Sequence, residues 1–122
     1  MCSYNKINGT FASENPWLLT DVLRDEWGFE GYVMSDWGAV NERVEGLKAG
    51  LELEMPTSNG INDREIIAAV KDGSLDEAVL DRAVERILRI VFLYWDNREE
   101  QEFCIRSRSR SCKKIAEESM VL

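Results

Sequence analysis

Apolar and polar positions follow two rhythms along this chain. Short apolar runs end abruptly in polar or turn residues at MCSYN (1–5), GYVMSD (31–36) and LELEMP (51–56). That length and texture predict buried strands, and Pro56 closes the third. Between and after these runs the apolar residues recur at helical spacing. Leu19, Val22, Leu23 and Trp27 share one face of a helix that Asn15 and Pro16 open and Gly28 ends. Val40, Val44 and Leu47 mark a second helix over AVNERVEGLKAG, closing on Gly50, and DREIIAAVKDG (63–73) reads as a third. Ser74 and Glu77 then form an S-x-x-E capping box at the head of a long helix. Its stripe of Leu80, Val84, Ile87, Leu88, Val91 and Trp95 is expected to point inward, with Asp81, Arg82, Glu85 and Arg89 in water. KINGTFASENP (6–16), rich in Gly, Asn and Ser, reads as a loop.

Strands alternating with helices predict an α/β fold with a parallel sheet and right-handed crossovers. Three strands are few for a sheet that needs cover on both faces, so the pattern describes a piece of such a fold. After residue 96 the texture changes. NREEQE (97–102) is a solvated charge run, and RSRSRS (106–111) is a low-complexity stretch that reads as a linker. A phosphorylatable Arg-Ser interaction segment is the sharper alternative for those six residues. KKIAEESMVL (113–122) restarts a helical pattern whose apolar end, SMVL, calls for a partner.

Bulk properties narrow the function classes. The 122 residues fit one ordinary domain, and 15 Lys plus Arg against 23 Asp plus Glu leave a net charge of −8. Such an acidic chain gains nothing from counterion release on nucleic acid and is not drawn to anionic membrane surfaces. No apolar run approaches the roughly 20 residues of a membrane span. MCSYNKINGT has no signal-peptide pattern, so location is open, and cytoplasmic if Met1 is a true start. Cys2, Cys104 and Cys112 are an odd set without CxxC spacing, which argues against a disulfide framework or a zinc site. Histidine is absent, which removes Ser-His and Cys-His catalysis and His-rich metal sites. Trp17, Trp27 and Trp95 read as packing residues, and Cys2 as a small buried hydrophobe.

The candidate chemistry lies in SDWG, residues 35–38. At the C-terminal end of a parallel strand, side chains point into the crevice where α/β barrels and sheets place their active sites. Asp36 is expected there beside Trp37, with Gly38 allowing a sharp turn. A carboxylate next to an indole suits a sugar: the ring face stacks on a pyranose, and the carboxylate stabilises or bonds to the anomeric carbon. On spacing alone, the competing reading that Asp36 caps a helix starting near Ala39 is the more common duty for Asp. Glu52 and Glu54 alternate, so at most one faces the site, and neither is given a catalytic role. Glu14 and Asp21 flank a helix start, where acids favour the dipole.

MCSYNKING, NPWLLTDVLRDEWGFEGYVMSDWGAV and AGLELEMP strongly resemble glycoside hydrolase family three, the β-glucosidase type. The resemblance runs from residue 1 to about 95 and resumes at KKIAEESMVL. It implies part of a (β/α)8 barrel, about three βα units, with MCSYN, YVMSDW and LELEMP as the sixth to eighth strands. On that pattern residues 1–96 belong to the barrel, 97–112 are a linker, and 113–122 begin an α/β sandwich domain. The resemblance carries over Asp36 as the nucleophile of a retaining β-glycosidase, and Met1, Tyr4 and Trp37 as residues lining the glucose subsite. The Tyr4 hydroxyl is expected near the nucleophile as a hydrogen-bond donor to it. The implied substrate is a terminal β-linked glucoside or oligosaccharide, with no cofactor and no metal.

The family's acid/base, a Glu of the second domain, is expected beyond Leu122, and the earlier barrel strands before Met1. Met1 matches an internal family residue, and CIRSRSRSC replaces the usual linker, as a frameshift would leave it. Two other readings therefore stand beside the β-glucosidase one: an inactive fragment that associates through its open edges, or a family member specific for β-xylosides or β-N-acetylglucosaminides.

Overall fold

The computed structural model describes residues 1–98 and 105–119, the latter with side chains from Cys112 onward. Its centre is formed by the three apolar runs, lying side by side and parallel. Cys2 bridges Ser35, and Met34 bridges Leu53. Cys2 N donates to Met34 O at 2.9 Å and Asp36 N to Cys2 O at 3.2 Å on one side. On the other, Ser35 N donates to Leu53 O at 2.9 Å, and Leu53 N to Val33 O at 3.1 Å. The spatial order thus follows the sequence, as helical crossovers between parallel neighbours produce. Each pairing is a single bridge rather than an extended ladder, so the molecule is mostly helical. Alternate residues of the middle run face opposite ways. Val33 and Ser35 are buried against the helices, whereas Tyr32, Met34 and Asp36 are half-buried on the other face.

The helical layer holds two apolar clusters. Cys2, Ala12, Leu19, Val33, Ala49 and Leu51 form the one beneath the parallel runs. Leu47, Ala69, Leu75 and Ala83 form the other, where α1 (Arg43–Ala49), α2 (Ile61–Asp72) and α3 (Glu77–Asn97) meet. Leu75 is almost fully enclosed. Its replacement by Ala is expected to lower unfolding free energy by roughly 2–5 kcal/mol in a urea titration of the protein.

Several local features differ from the sequence expectation. KINGTF is not loop but a hairpin, β1 (Lys6–Ile7) against β2 (Thr10–Phe11), with Lys6 opposite Phe11. Asn8 and Gly9 supply the positive φ angles, 51° and 90°, that a tight hairpin turn needs. The following helix, Trp17–Glu26, opens as expected, with Asn15 Oδ1 accepting from Leu18 N at 3.2 Å. It is wound with π-type turns, Trp27 N reaching Val22 O, and that winding carries Trp27 off the packed stripe into solvent. Trp17 and Trp95 are exposed as well, so none of the three is a packing residue, and Trp95 instead lies 4.0 Å from the Arg98 guanidinium.

The cap of α3 is Asp76, whose carboxylate accepts from Ala78 N at 3.0 Å, and not Ser74. Ser74 instead bonds back to Ala69 O. The expected inward stripe of α3 packs only at its start. Leu80 and Ile87 are half-buried, whereas Val84, Leu88, Val91 and Trp95 are exposed, because the helix outruns the elements that cover it among the described residues. RSRSRS, expected as a linker, falls within α4 (Ile105–Ser119), and the boundary expected at residues 112–113 lies inside that helix. Lys113–Glu117 and Lys114–Glu118 pairs at i,i+4 support its second half. Residues 99–104, including Cys104, and the MVL end lie outside the described residues. Cys2 and Cys112 are free thiols. Among the described residues no helix is long and apolar enough to cross a membrane, and no metal-ligand group forms.

A buried charge cluster fixes the third run. Glu52 Oε1 accepts from both Arg24 and Arg86 at 2.7 Å, and Oε2 from Val33 N at 2.6 Å. Arg43 donates to Leu51 O and Glu52 O at 3.0 and 2.9 Å, and Glu54 accepts from Asn62 Nδ2 at 2.6 Å. Burial pushes the Arg24 and Arg43 guanidinium groups down from their ordinary value, while Glu52 and Glu54 respectively push back. Both acids are engaged in holding structure.

Candidate active site

The parallel runs bring their C-terminal ends together, and the polar residues gather there. Asp36 follows Ser35 at the end of the middle run, and its main chain is held by Cys2 O on one side. Gly38, with φ at 74°, turns the chain sharply and donates to Met55 O at 3.0 Å. Asp36 does not cap a helix. α1 begins only at Arg43, and Glu14 Oε1 accepts from Glu42 N at 2.8 Å at its head. The Asp36 carboxylate accepts from Trp37 N at 2.7 Å, which leaves it further acceptor positions.

Tyr4 completes the group. Its hydroxyl donates to Trp37 O at 2.9 Å, linking the first run to the turn after the second. Partial desolvation, and then the nearby Asp36 carboxylate, raise the Tyr4 phenol above the ordinary tyrosine range. Tyr4 therefore stays protonated, and able to donate, to higher pH than a free tyrosine. A tyrosinate absorbance titration of the protein and its Tyr4→Phe variant is expected to assign the missing, late-ionising phenol to Tyr4. Ionisation at or below the free-tyrosine value would contradict this placement.

Trp37 is 68% exposed and Tyr4 55%, so an indole face and a phenol edge stand open beside a half-buried carboxylate. Such a group can stack a sugar ring and present an oxygen nucleophile to it. Met1 lies elsewhere. It is 78% exposed and lines an apolar groove of about 310 Å³ with Leu18, Leu23, Trp27, Phe29 and Tyr32. The structure thus brings Tyr4, Asp36 and Trp37 together and places Met1 in a different groove.

Ser35 and Met55 were not singled out by sequence reasoning. Met55 N donates to Ser35 Oγ at 2.7 Å, and Ser35 Oγ donates to Met55 O at 3.1 Å. A serine among strand residues, where an apolar side chain is the norm, was the available signal.

The sequence model of the glycosyl hydrolase family 3 N-terminal domain matches residues 1–90. The chain belongs to this family. Thermostable β-glucosidase B of Acetivibrio thermocellus is 54% identical over 123 residues, which cover all of this chain and 16% of that enzyme. An exo-α-(1→6)-L-arabinopyranosidase of Bifidobacterium breve is 57% identical over 91 residues, 75% of this chain and 12% of that protein. The crystal structure of a family 3 β-glucosidase from Bifidobacterium adolescentis aligns with a TM-score of 0.79 at 46% identity, covering 90% of this chain and 16% of that one. The chain therefore spans about an eighth to a sixth of the length of these family 3 relatives. They are glycoside hydrolases, and a partial barrel segment accounts for the parallel runs and their helical cover.

Proposed function

We propose that residues 1–96 are the closing part of a family 3 (β/α)8 barrel, about three βα units, and that Asp36 is the nucleophile of a retaining β-glucosidase acting on terminal β-linked glucose. The second domain begins within α4, at 113–122. The cluster of Asp36, Tyr4 and Trp37 at the ends of parallel runs carries this reading. An Asp36 oxygen bonds to the anomeric carbon as the glycosidic C–O bond breaks, and a second carboxylic acid outside this chain protonates the departing oxygen. Water then attacks the same carbon, gives its proton to that acid's conjugate base, and displaces Asp36. Two inversions leave the β configuration. Trp37 supplies the stacking face, and Tyr4 holds the turn that carries both.

The test is to graft residues 1–122 into the A. thermocellus β-glucosidase B in place of its matched 123 residues. The graft is expected to hydrolyse an aryl β-glucoside and to release the β anomer first, followed by proton NMR. Initial release of the α anomer, or preference for an arabinopyranoside, β-xyloside or β-N-acetylglucosaminide, would overturn the mechanism or the substrate respectively.

A second reading concerns the chain alone. Glu52 and Glu54 are tied up in structural bonds, and Val84, Leu88, Val91 and Phe92 of α3 are exposed. An isolated 122-residue chain is expected to associate through that apolar face and to show no turnover. Size-exclusion chromatography with an activity assay checks both, and an active monomer would refute it.

A further inference from the structure

We infer that Ser35 is a positioning residue for Asp36, its hydroxyl fixing the chain that carries the carboxylate to the main chain of Met55. The inference rests on the reading of Asp36 as the nucleophile. Asp36 and Trp37 lie in a turn whose two ends reach the same residue. Ser35 Oγ bonds to both Met55 N and Met55 O, and Gly38 N also donates to Met55 O. From the opposite side, Cys2 O accepts from Asp36 N. A further link, Ser35 N to Leu53 O, is also main chain to main chain. Two clamps on this turn are made by side chains, the Tyr4 hydroxyl on Trp37 O and the Ser35 hydroxyl on Met55; of the two, Ser35 is enclosed and away from the open face where a sugar would lie.

The residue type fits the task. A hydroxyl accepts and donates at once, which matches a peptide presenting its own N–H and C=O. Ser35 is completely enclosed, so no water can replace the lost bonds without a rearrangement. A nucleophile must meet the anomeric carbon along a narrow approach, and a misplacement of about 1 Å costs on the order of a hundredfold in rate. Loosening the Met55 contact releases Asp36 without touching the sugar.

The experiment compares Ser35→Ala, Ser35→Cys, Asp36→Ala and Leu75→Ala in the active graft. Ser35→Ala is expected to lower kcat on an activated aryl β-glucoside about 10- to 100-fold. KM should change by less than about threefold, since the lost interaction matters only in the transition state. Ser35→Cys, close in size but a weak hydrogen-bonding partner, is expected to fall between the two and to serve where the Ala variant does not fold. Leu75→Ala lies in the other apolar cluster and is expected to lower the melting temperature while the folded enzyme keeps its kcat.

Unchanged kcat in both Ser35 variants overturns the inference, as does an equal kcat loss in Leu75→Ala. Should Asp36→Ala stay active, the nucleophile reading fails and the inference falls with it. Should Asp36→Ala be inactive while the Ser35 variants run at full rate, the inference alone fails.

Discussion

Asp36→Ala in the grafted enzyme is expected to reduce kcat on an aryl β-glucoside by roughly 10⁴- to 10⁶-fold, the scale on which removal of a covalent nucleophile acts. The carboxylate supplies the bond that replaces the departing glycosidic oxygen, and neither Tyr4 nor Trp37 can substitute for it. The Ala side chain also leaves room for a small anion on the same face of the ring. Added azide is expected to restore turnover and to give an α-configured glycosyl azide, because a single displacement then occurs. Glucose binding should change far less than turnover, as the Trp37 indole and the Tyr4 contact remain. A variant that kept its rate, or azide rescue giving a β product, would contradict the assignment.

Glu52→Ala is expected to lower stability by about 3–5 kcal/mol, because it leaves the buried Arg24 and the half-buried Arg86 without their counter-charge. Glu52 is a junction: Arg24 comes from the π-wound helix, Arg86 from α3, and Val33 N from the parallel run that leads to Asp36. Its side chain is only 1% exposed, so water does not screen the lost pair. The loss should appear as a lower urea midpoint in the grafted protein, with kcat per folded molecule preserved at low temperature. A change below about 1 kcal/mol, the range of exposed pairs, would mean that the cluster contributes no more than a surface ion pair.

The parallel runs were legible because buried strands leave short apolar blocks with turn residues at their ends. The helices between them were legible from spacing and from Gly50 and Gly73, which both adopt the left-handed conformation. The hairpin at Asn8-Gly9 carried a strong local signal, yet the polar composition of KINGTFASENP masked it. The cap of α3 was misplaced because S-x-x-E at Ser74 competes with Asp76, and only the backbone geometry selects between them. The inward stripe of α3 and the packing of three tryptophans are not realised, since apolar periodicity states which face seeks cover and not what supplies it.

The site divides in the same way. Asp36 and Trp37 are adjacent and were found together, and Tyr4 reaches them only through the parallel pairing of separate runs. Ser35 escaped notice because its role depends on Met55, and the Glu52 cluster because its arginines come from elements far apart in sequence.

The most direct measurement is to inactivate the grafted enzyme with a 2-deoxy-2-fluoro β-glucoside bearing a good leaving group, then digest it and locate the sugar by mass spectrometry. Expected is one glycosyl group per molecule, on the peptide containing Tyr32 to Gly38 and esterified to Asp36. A sugar found on any other carboxylate, Glu54 included, would contradict the central claim.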